Sequence, residues 1–325
     1  MRIAVDAMGG DYAPDAVIAG VVEAAKVDEG ELILVGDESV LRPKLAAYPS
    51  DSRISIVHAS QVIHMGESPV AAIKQKKDSS INVGLRLVNE GNAEAFVSAG
   101  NTGAVMSASI FGLGRVEGIE RPAFAGVWPS LKGDLVILDV GANSECRPKQ
   151  LYQFAHLGSI FAERVLGIAK PVVGLLNIGQ EDQKGTETVI EALEMLKKSK
   201  LNFVGNVESS QVFNGDVHVF VCDGFVGNML LKFAEGMMHF TYELFKNEVK
   251  KRTVAKLGAL LMKPAFMAVQ KRTHYDEHGG ALLLGVKGVC VKAHGRSNSK
   301  AIRNAIQVAR KSVSARIVDE FAGIA

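Results

Sequence analysis

Three short stretches pair glycine with asparagine, threonine or lysine: A-G-N-T-G-A (99–104), N-I-G-Q-E-D-Q-K-G (177–185) and D-G-F-V-G-N (223–228). These side chains are the donors that a phosphate or a developing oxyanion needs. Glycine lets a ligand approach the main chain and permits positive φ. Any one stretch alone reads as ordinary strand-to-helix geometry, but three in one chain point to an anion site built from backbone. Conventional covalent machinery is missing: the sequence holds no G-x-S-x-G, H-E-x-x-H, G-x-x-x-x-G-K-[ST] or G-x-G-x-x-G. Cys222, among apolar neighbours, reads as a buried structural thiol. Of eight histidines, only His294 sits in a glycine turn after an apolar run. The chemistry implied is positioning and electrostatics.

The elements that must present these turns are short apolar runs, each followed by a small or polar turn and a helical pattern. They are Ile3–Val5, Leu32–Val35, Ile54–Val57, Ala95–Val97, Leu135–Leu138, Val172–Leu176 and Val217–Val221. Strands alternating with helical stretches predict βαβ units and a largely parallel sheet covered on both faces. In such sheets ligands bind beyond the carboxyl ends of strands, where helix N-termini favour anions. A last apolar stripe, Ile302, Ala305, Ile306, Ala309, Val313, Ile317 and Phe321, predicts one core-docked terminal helix.

The chain of 325 residues suffices for one large domain, and nothing in it forces a boundary, so residues 1–325 read as a single domain. Hydrophobic content of 47%, charged content of 22% and a net charge of +2 fit a globular protein and give no nucleic-acid signature. Cys146, Cys222 and Cys290 lie far apart without a CxxC pair, which argues against zinc and against a disulfide framework. With no signal peptide and no apolar run of spanning length, the expectation is a cytoplasmic protein.

One stretch has another character. Between Glu248 and Asp276 there are seven lysines and arginines and no acidic residue, interleaved with Leu257, Leu260, Leu261, Met262 and other apolar residues. This suits a helix lying on anionic lipid. Pro264 predicts a break into a helical hairpin over 240–275 with Leu260-Leu261-Met262 at its tip. Packing in a dimer interface explains the same stripe, and the lysines also suit an acidic protein partner.

Eight motifs in order, from D-A-M-G-G-D (6–11) through S-A-G-N-T-G-A (98–104), L-D-V-G-A-N (138–143), L-L-N-I-G-x-E-x-x-K-G (175–185), G-N-V-E (205–208), D-G-F-V-G-N (223–228) and G-G-A-L-L-L-G (279–285) to K-A-H-G-R-S (292–297), resemble the bacterial phosphate acyltransferases of phospholipid synthesis, the PlsX family. The resemblance implies transfer of a long acyl chain from acyl carrier protein to inorganic phosphate, without a cofactor or metal. A membrane glycerol-3-phosphate acyltransferase would consume the acyl phosphate. It further implies a homodimer and a three-layer α/β/α sandwich, Rossmann-like and similar to phosphotransacetylase and the isopropylmalate dehydrogenases. Two positions depart from the family: Tyr12 stands where histidine is usual, and Lys74 where arginine is more common.

Carried onto this chain, the reaction assigns phosphate to the amides of Gly100, Asn101, Thr102 and Gly103 and to the Thr102 hydroxyl. Lys184 becomes the cation between phosphate and oxyanion, and otherwise a solvated loop charge. Asn228 donates to the thioester carbonyl, or caps a helix; Asp223 stands beside it. His294 protonates the leaving thiolate. Asp6 and Asp11 flank Gly9 and Gly10 and orient the lysine or a turn, with Asp11 alternatively an N-cap. Asn143, Asn177, Gly179 and Gly227 complete the candidate substrate site. Short-chain phosphotransacetylase activity on acyl-CoA, a membrane scaffold that binds carrier protein, and a dehydrogenase are the competing readings.

Overall fold

A computed structural model describes residues 1–27, 29–273, 275–277 and 279–324. Its strands are β1 Arg2–Asp6, β2 Glu31–Gly36, β3 Ile54–His58, β4 Ala95–Ser98, β5 Ala123–Ser130, β6 Gly133–Leu138, β7 Val173–Asn177, β8 Phe203–Glu208, β9 Val219–Val221, β10 Ala281–Leu284 and β11 Val289–Lys292. The helices are α1 Asp15–Val27, α2 Glu38–Leu45, α3 Pro69–Gln75, α4 Ser80–Asn89, α5 Thr102–Gly112, α6 Pro148–Arg164, α7 Glu187–Lys197, α8 Gly224–Lys251, α9 Thr253–Leu261, α10 Lys263–Thr273, α11 Ser299–Ser314 and α12 Ile317–Glu320.

All eleven strands join one sheet in the order β3-β2-β1-β4-β11-β10-β5-β6-β9-β7-β8. The chain is thus α/β with a mostly parallel sheet. Two parallel blocks, β3-β2-β1-β4-β11 and β6-β9-β7-β8, flank the antiparallel pairings β11–β10, β10–β5 and β5–β6. Three reversals in succession make the second block run opposite to the first. The carboxyl ends of β4 and of β9 therefore lie at opposite ends of the sheet.

Alternation along the strands sorts side chains to the two faces. Ile3 and Val5 pack with α1, α6 and α11 on one face. Ala4 and Phe96 pack with α4 and α5 on the other. That second face is divided, because Leu135, Ile137 and Phe220 pack with α8 in a separate cluster. The two clusters meet near Val140, and a cleft opens between them over β10 and β5.

Four strands escape the sequence pattern. β5, A-F-A-G-V-W-P-S, is broken by small residues and a proline, β8, F-V-G-N-V-E, by a glycine and an asparagine, while β10 and β11 have four residues each. The terminal helix is two helices. Arg316 takes a left-handed conformation (φ 50°), which turns Ile317 and Phe321 back into the core. The hairpin also differs from expectation. The long α8 runs on to Lys251, Arg252 is extended, and a second break follows at Met262, with Pro264 in the first turn of α10, where proline is tolerated. Phe245 of α8 meets Phe266 of α10 at 5.0 Å between ring centroids, so the hairpin does close.

Candidate functional site

At the ends of β1 and β4 the glycine turns form a tight buried network. Asp6, 1% exposed, accepts from the Ser98 hydroxyl (2.7 Å) and from the Met8 amide (3.1 Å). Burial pushes its pKa up, against the pull of those bonds. A Cβ at Gly9 would lie 2.3 Å from Asp6 Oδ2 and 2.7 Å from the Gly100 amide nitrogen, so only glycine fits. Gly10 has φ +109°, and the Asp11 amide donates to the Gly295 carbonyl (2.8 Å). The structure gives Asp11 no place as a cap of α1, which starts at Asp15.

Two of the amides at the β4 turn serve the fold itself. Gly100 N–H donates to Ser98 Oγ (3.0 Å), and Ala104 N–H donates to Asn101 Oδ1 (3.0 Å), the N-cap of α5. Asn101 Nδ2 donates to the carbonyls of His64, Met65 and Glu67 at 3.0–3.3 Å. Gly103 packs on Pro69. Of this turn, Thr102 lines the cavity described below.

Beside β4 lies β11, whose last residue, Lys292, pairs in register with Ser98. Lys292 is 7% exposed, and its ammonium donates to the Ala293 carbonyl. Burial pulls its pKa down to about 8, while Asp6 and Asp11 act in the opposite direction. His294 follows. Desolvation, reinforced by Lys292 and Arg296, lowers its pKa, and its Nδ1 accepts from the Arg296 amide (3.2 Å). The ring is therefore neutral near pH 7 with its proton on Nε2.

The opposite rim is organised by Asp139, just beyond β6. Its buried carboxylate accepts from the amides of Phe124, Gly141, Ala142 and Asn143 and from Asn143 Nδ2, at 2.7–3.1 Å. Asn143 also donates to the Pro122 carbonyl (2.8 Å), so its amide is occupied in shaping the turn. Asp223 caps α8 by accepting from the Val226 amide (2.8 Å). Gly227 packs so closely on Asp139 that a Cβ would come within 1.9 Å of its carbonyl oxygen. The helix presses in at that point and sets Asn228, one residue on, against Gly141 at the cavity wall. Cys222 is buried, and burial raises its pKa well above the usual thiol range.

The third turn, between β7 and α7, is different. Asn177 Nδ2 donates to the Lys184 carbonyl (2.9 Å) and its Oδ1 accepts from Ile178 N–H (2.8 Å), closing the loop on itself. Gly179 is buried against Glu181, whereas residues 180–187 are all exposed. Lys184 therefore stands in solvent, outside the cavity lining.

The cavity, about 490 Å³, occupies the cleft over β5. Asp11, Thr102, Lys292, His294 and Arg296 gather at its lining from the β4–β11 side, and Gly141 and Asn228 from the β6–α8 side. Phe124, Gly126 and Trp128 floor it, and Leu231, Glu235 and Met238 of α8 wall it. Of the candidates read from sequence, the structure brings Asp11, Thr102, Asn228 and His294 together here. Asp6, Gly9, Gly10, Gly100, Asn101, Gly103, Asn143, Asp223 and Gly227 lie outside the lining, and Asn177, Gly179 and Lys184 belong to the separate turn after β7, where Lys184 is exposed. Sequence reading missed Lys292, the buried cation. Its signal was the K-A-H-G-R-S motif, in which the histidine drew attention and the lysine ending an unrecognised strand did not.

An α/β/α protein with an anion-suited cleft across its central strands is the class that fold and site define. The solved phosphotransacetylase from Streptococcus pyogenes superposes with a TM-score of 0.65 at 15% identity, covering 97% of this chain and 94% of that one. A putative 4-hydroxythreonine-4-phosphate dehydrogenase from Salmonella typhimurium gives 0.53 at 13%, covering 95% and 98%. Both share the fold. The model of the fatty acid synthesis protein family matches residues 1–319. A curated relative from Heliobacterium modesticaldum, "Phosphate acyltransferase", is 52% identical over 98% of this chain and 96% of its own length. The chain belongs to this family of phosphate acyltransferases in fatty acid synthesis.

Proposed function

We propose that the protein moves a long-chain fatty acyl group from acyl carrier protein to inorganic phosphate, releasing acyl phosphate for glycerophospholipid synthesis. The observation that carries this reading is a single cleft with a buried ammonium and a helix N-terminus at one end and apolar floor and wall beyond. Lys292, Thr102 and the positive end of α5 hold phosphate. A phosphate oxygen attacks the thioester carbon, the C–O bond forms, and Asn228 donates to the carbonyl oxygen as charge gathers on it. The C–S bond then breaks, and the proton carried by monohydrogen phosphate ends on the sulfur. His294, neutral, serves as a hydrogen-bond donor rather than as the acid. Lys184 reaches the substrate from its exposed loop, adding a cation on the side of the incoming donor. Asp6 holds Lys292 in place by charge, and the Asp139 and Asp223 turns fix Asn228.

The outer face of α8 carries Phe225, Met229, Phe233, Met237, Phe240 and Leu244 at helical spacing, all exposed. This supports a homodimer built on α8. Among the described residues no helix is long and apolar enough to cross a membrane. The exposed Leu257, Leu260, Leu261 and Met262 of the hairpin, with lysines around them, support peripheral contact with an anionic membrane from the cytoplasmic side. There a membrane glycerol-3-phosphate acyltransferase takes the water-labile product.

The likeness to phosphotransacetylase favours one alternative, transfer from short acyl-CoA. The test is thiol release and hydroxamate formation with phosphate present or omitted. Palmitoyl carrier protein should react only with phosphate, and acetyl-CoA should not. Preference for acetyl-CoA selects the alternative, and phosphate-independent release with both donors removes the proposal.

A further inference from the structure

We propose that the alkyl tail of the acyl donor lies between β5 and α8, seated on Gly126, and that this residue sets the chain lengths the enzyme accepts. The inference rests on the acyl-transfer reading above. Phe124, Gly126 and Trp128 alternate along β5 and face the same side of the sheet, toward the cavity. Glycine in a strand interior forfeits packing, and it is used where a ligand approaches closely. Gly126 needs no glycine for its backbone, since it is not among the positive-φ residues. A Cβ there would lie 3.2 and 3.4 Å from the methyl groups of Val140 and 3.7 Å from Leu231 Cδ1. The first two are tight contacts, so Val140 already fills the space beside Gly126, and a larger side chain at this position must displace Val140 or project into the cleft that Gly126 lines.

Register connects Gly126 to the charged end. Lys292 pairs with Ala281 across β11–β10, and Leu282 pairs with Ala125 across β10–β5, which sets Ala281 opposite Gly126. Lys292 and Gly126 are therefore two strand spacings apart, about 10 Å. A phosphate at the lysine end and a tail over Gly126 belong to one extended amphiphile.

Trp128 is the sole tryptophan of the chain and lines the cleft, so its emission reports occupancy directly. Titration with dodecyl phosphate should give a saturable emission change, with inorganic phosphate silent and butyl phosphate weaker by roughly tenfold or more. Gly126→Leu should weaken the dodecyl response and cut turnover of a hexadecanoyl donor by roughly tenfold or more while sparing a hexanoyl donor. Gly126→Ala, which adds one methyl, should fall between and guards against a leucine variant that does not fold. An emission that ignores dodecyl phosphate, or a chain-length profile the same in wild type and in the folded variants, overturns the inference. Failure of the acyl-transfer reading would show differently, as absence of phosphate-dependent thiol release with every donor, while the emission titration still decides the groove.

Discussion

The turns after β4 and after β7 are written in similar residues, yet they differ in kind. In the first, Asn101 is buried and bonds four backbone groups, Gly100 bonds Ser98, and Asp6 closes the network from the next strand. In the second, Asn177 bonds only its own loop, and Lys184 stands in water with seven exposed neighbours around it in sequence. The first is preorganised; the side chains of Asp6, Ser98 and Asn101 are bonded before any ligand arrives. The second is closed by Asn177 and tied to β8 by Asn206, whose Nδ2 donates to the Glu181 carbonyl (3.0 Å), yet most of its side chains stay in solvent. Asparagine closes both turns, but the first buries its polar side chain and the second leaves a cation in solvent.

The largest effect should come from the cation held by the first turn. Lys292→Met removes the buried positive charge and leaves Asp6 uncompensated, so the KM for phosphate should rise by roughly two orders of magnitude. An unchanged KM would move the phosphate away from β11. Next, Asn101→Ala should lower stability by about 2 kcal/mol, from a lost cap and three carbonyls without their donor. Lys184→Ala should leave the urea midpoint within about 0.5 kcal/mol of wild type, yet slow phosphate-dependent turnover roughly tenfold through loss of a charged hydrogen bond. Equal stability costs in the two variants would erase the contrast between the turns.

Acidity gives a smaller and sharper test. With its pKa near 8, Lys292 loses its charge as pH rises through that value, so phosphate KM should climb above pH 8 in the wild type. Lys292→Arg, charged throughout, should flatten the climb. Stability moves the other way. Between about pH 8 and the ordinary lysine value of 10.5, the unfolded chain binds a proton that the native one does not, so stability should rise with pH across that window relative to Lys292→Met. The smallest effect on the fold belongs to the hairpin. Leu261→Glu, at a residue 76% exposed, should unfold within about 0.5 kcal/mol of wild type and yet fail to float with anionic vesicles.

Much of the architecture is visible in the residues. The seven apolar runs all became strands, most of them because burial on both faces leaves an unbroken hydrophobic signature, while the edge strand β3, with Ser55 exposed, alternates instead. β5 was hidden by its composition. Ala123, Ala125 and Gly126 are small and Pro129 interrupts the run, so the series of branched side chains that marks a strand never forms, although Phe124 and Trp128 pack into the core. Motifs located the turns but not the destination of each N–H. Gly100 and Thr102 are two residues apart, and one bonds Ser98 while the other meets the cavity. The closeness of Lys292 to Asp6 depends on β11 inserting beside β4 at the far end of the chain, a long-range pairing that no local pattern announces.

The helix α8 carries two faces with interleaved positions. Leu231, Glu235 and Met238 look into the cleft, while Met229, Phe233 and Met237 look outward. One residue inserted after Asn228 would swing everything beyond it by about 100°. Aromatic bulk would then turn toward the cleft and the lining residues toward solvent. The length of this segment is consequently fixed by two surfaces at once, and tolerance to insertion and deletion should vanish between Asn228 and Met238 even where single substitutions on the outer face are harmless.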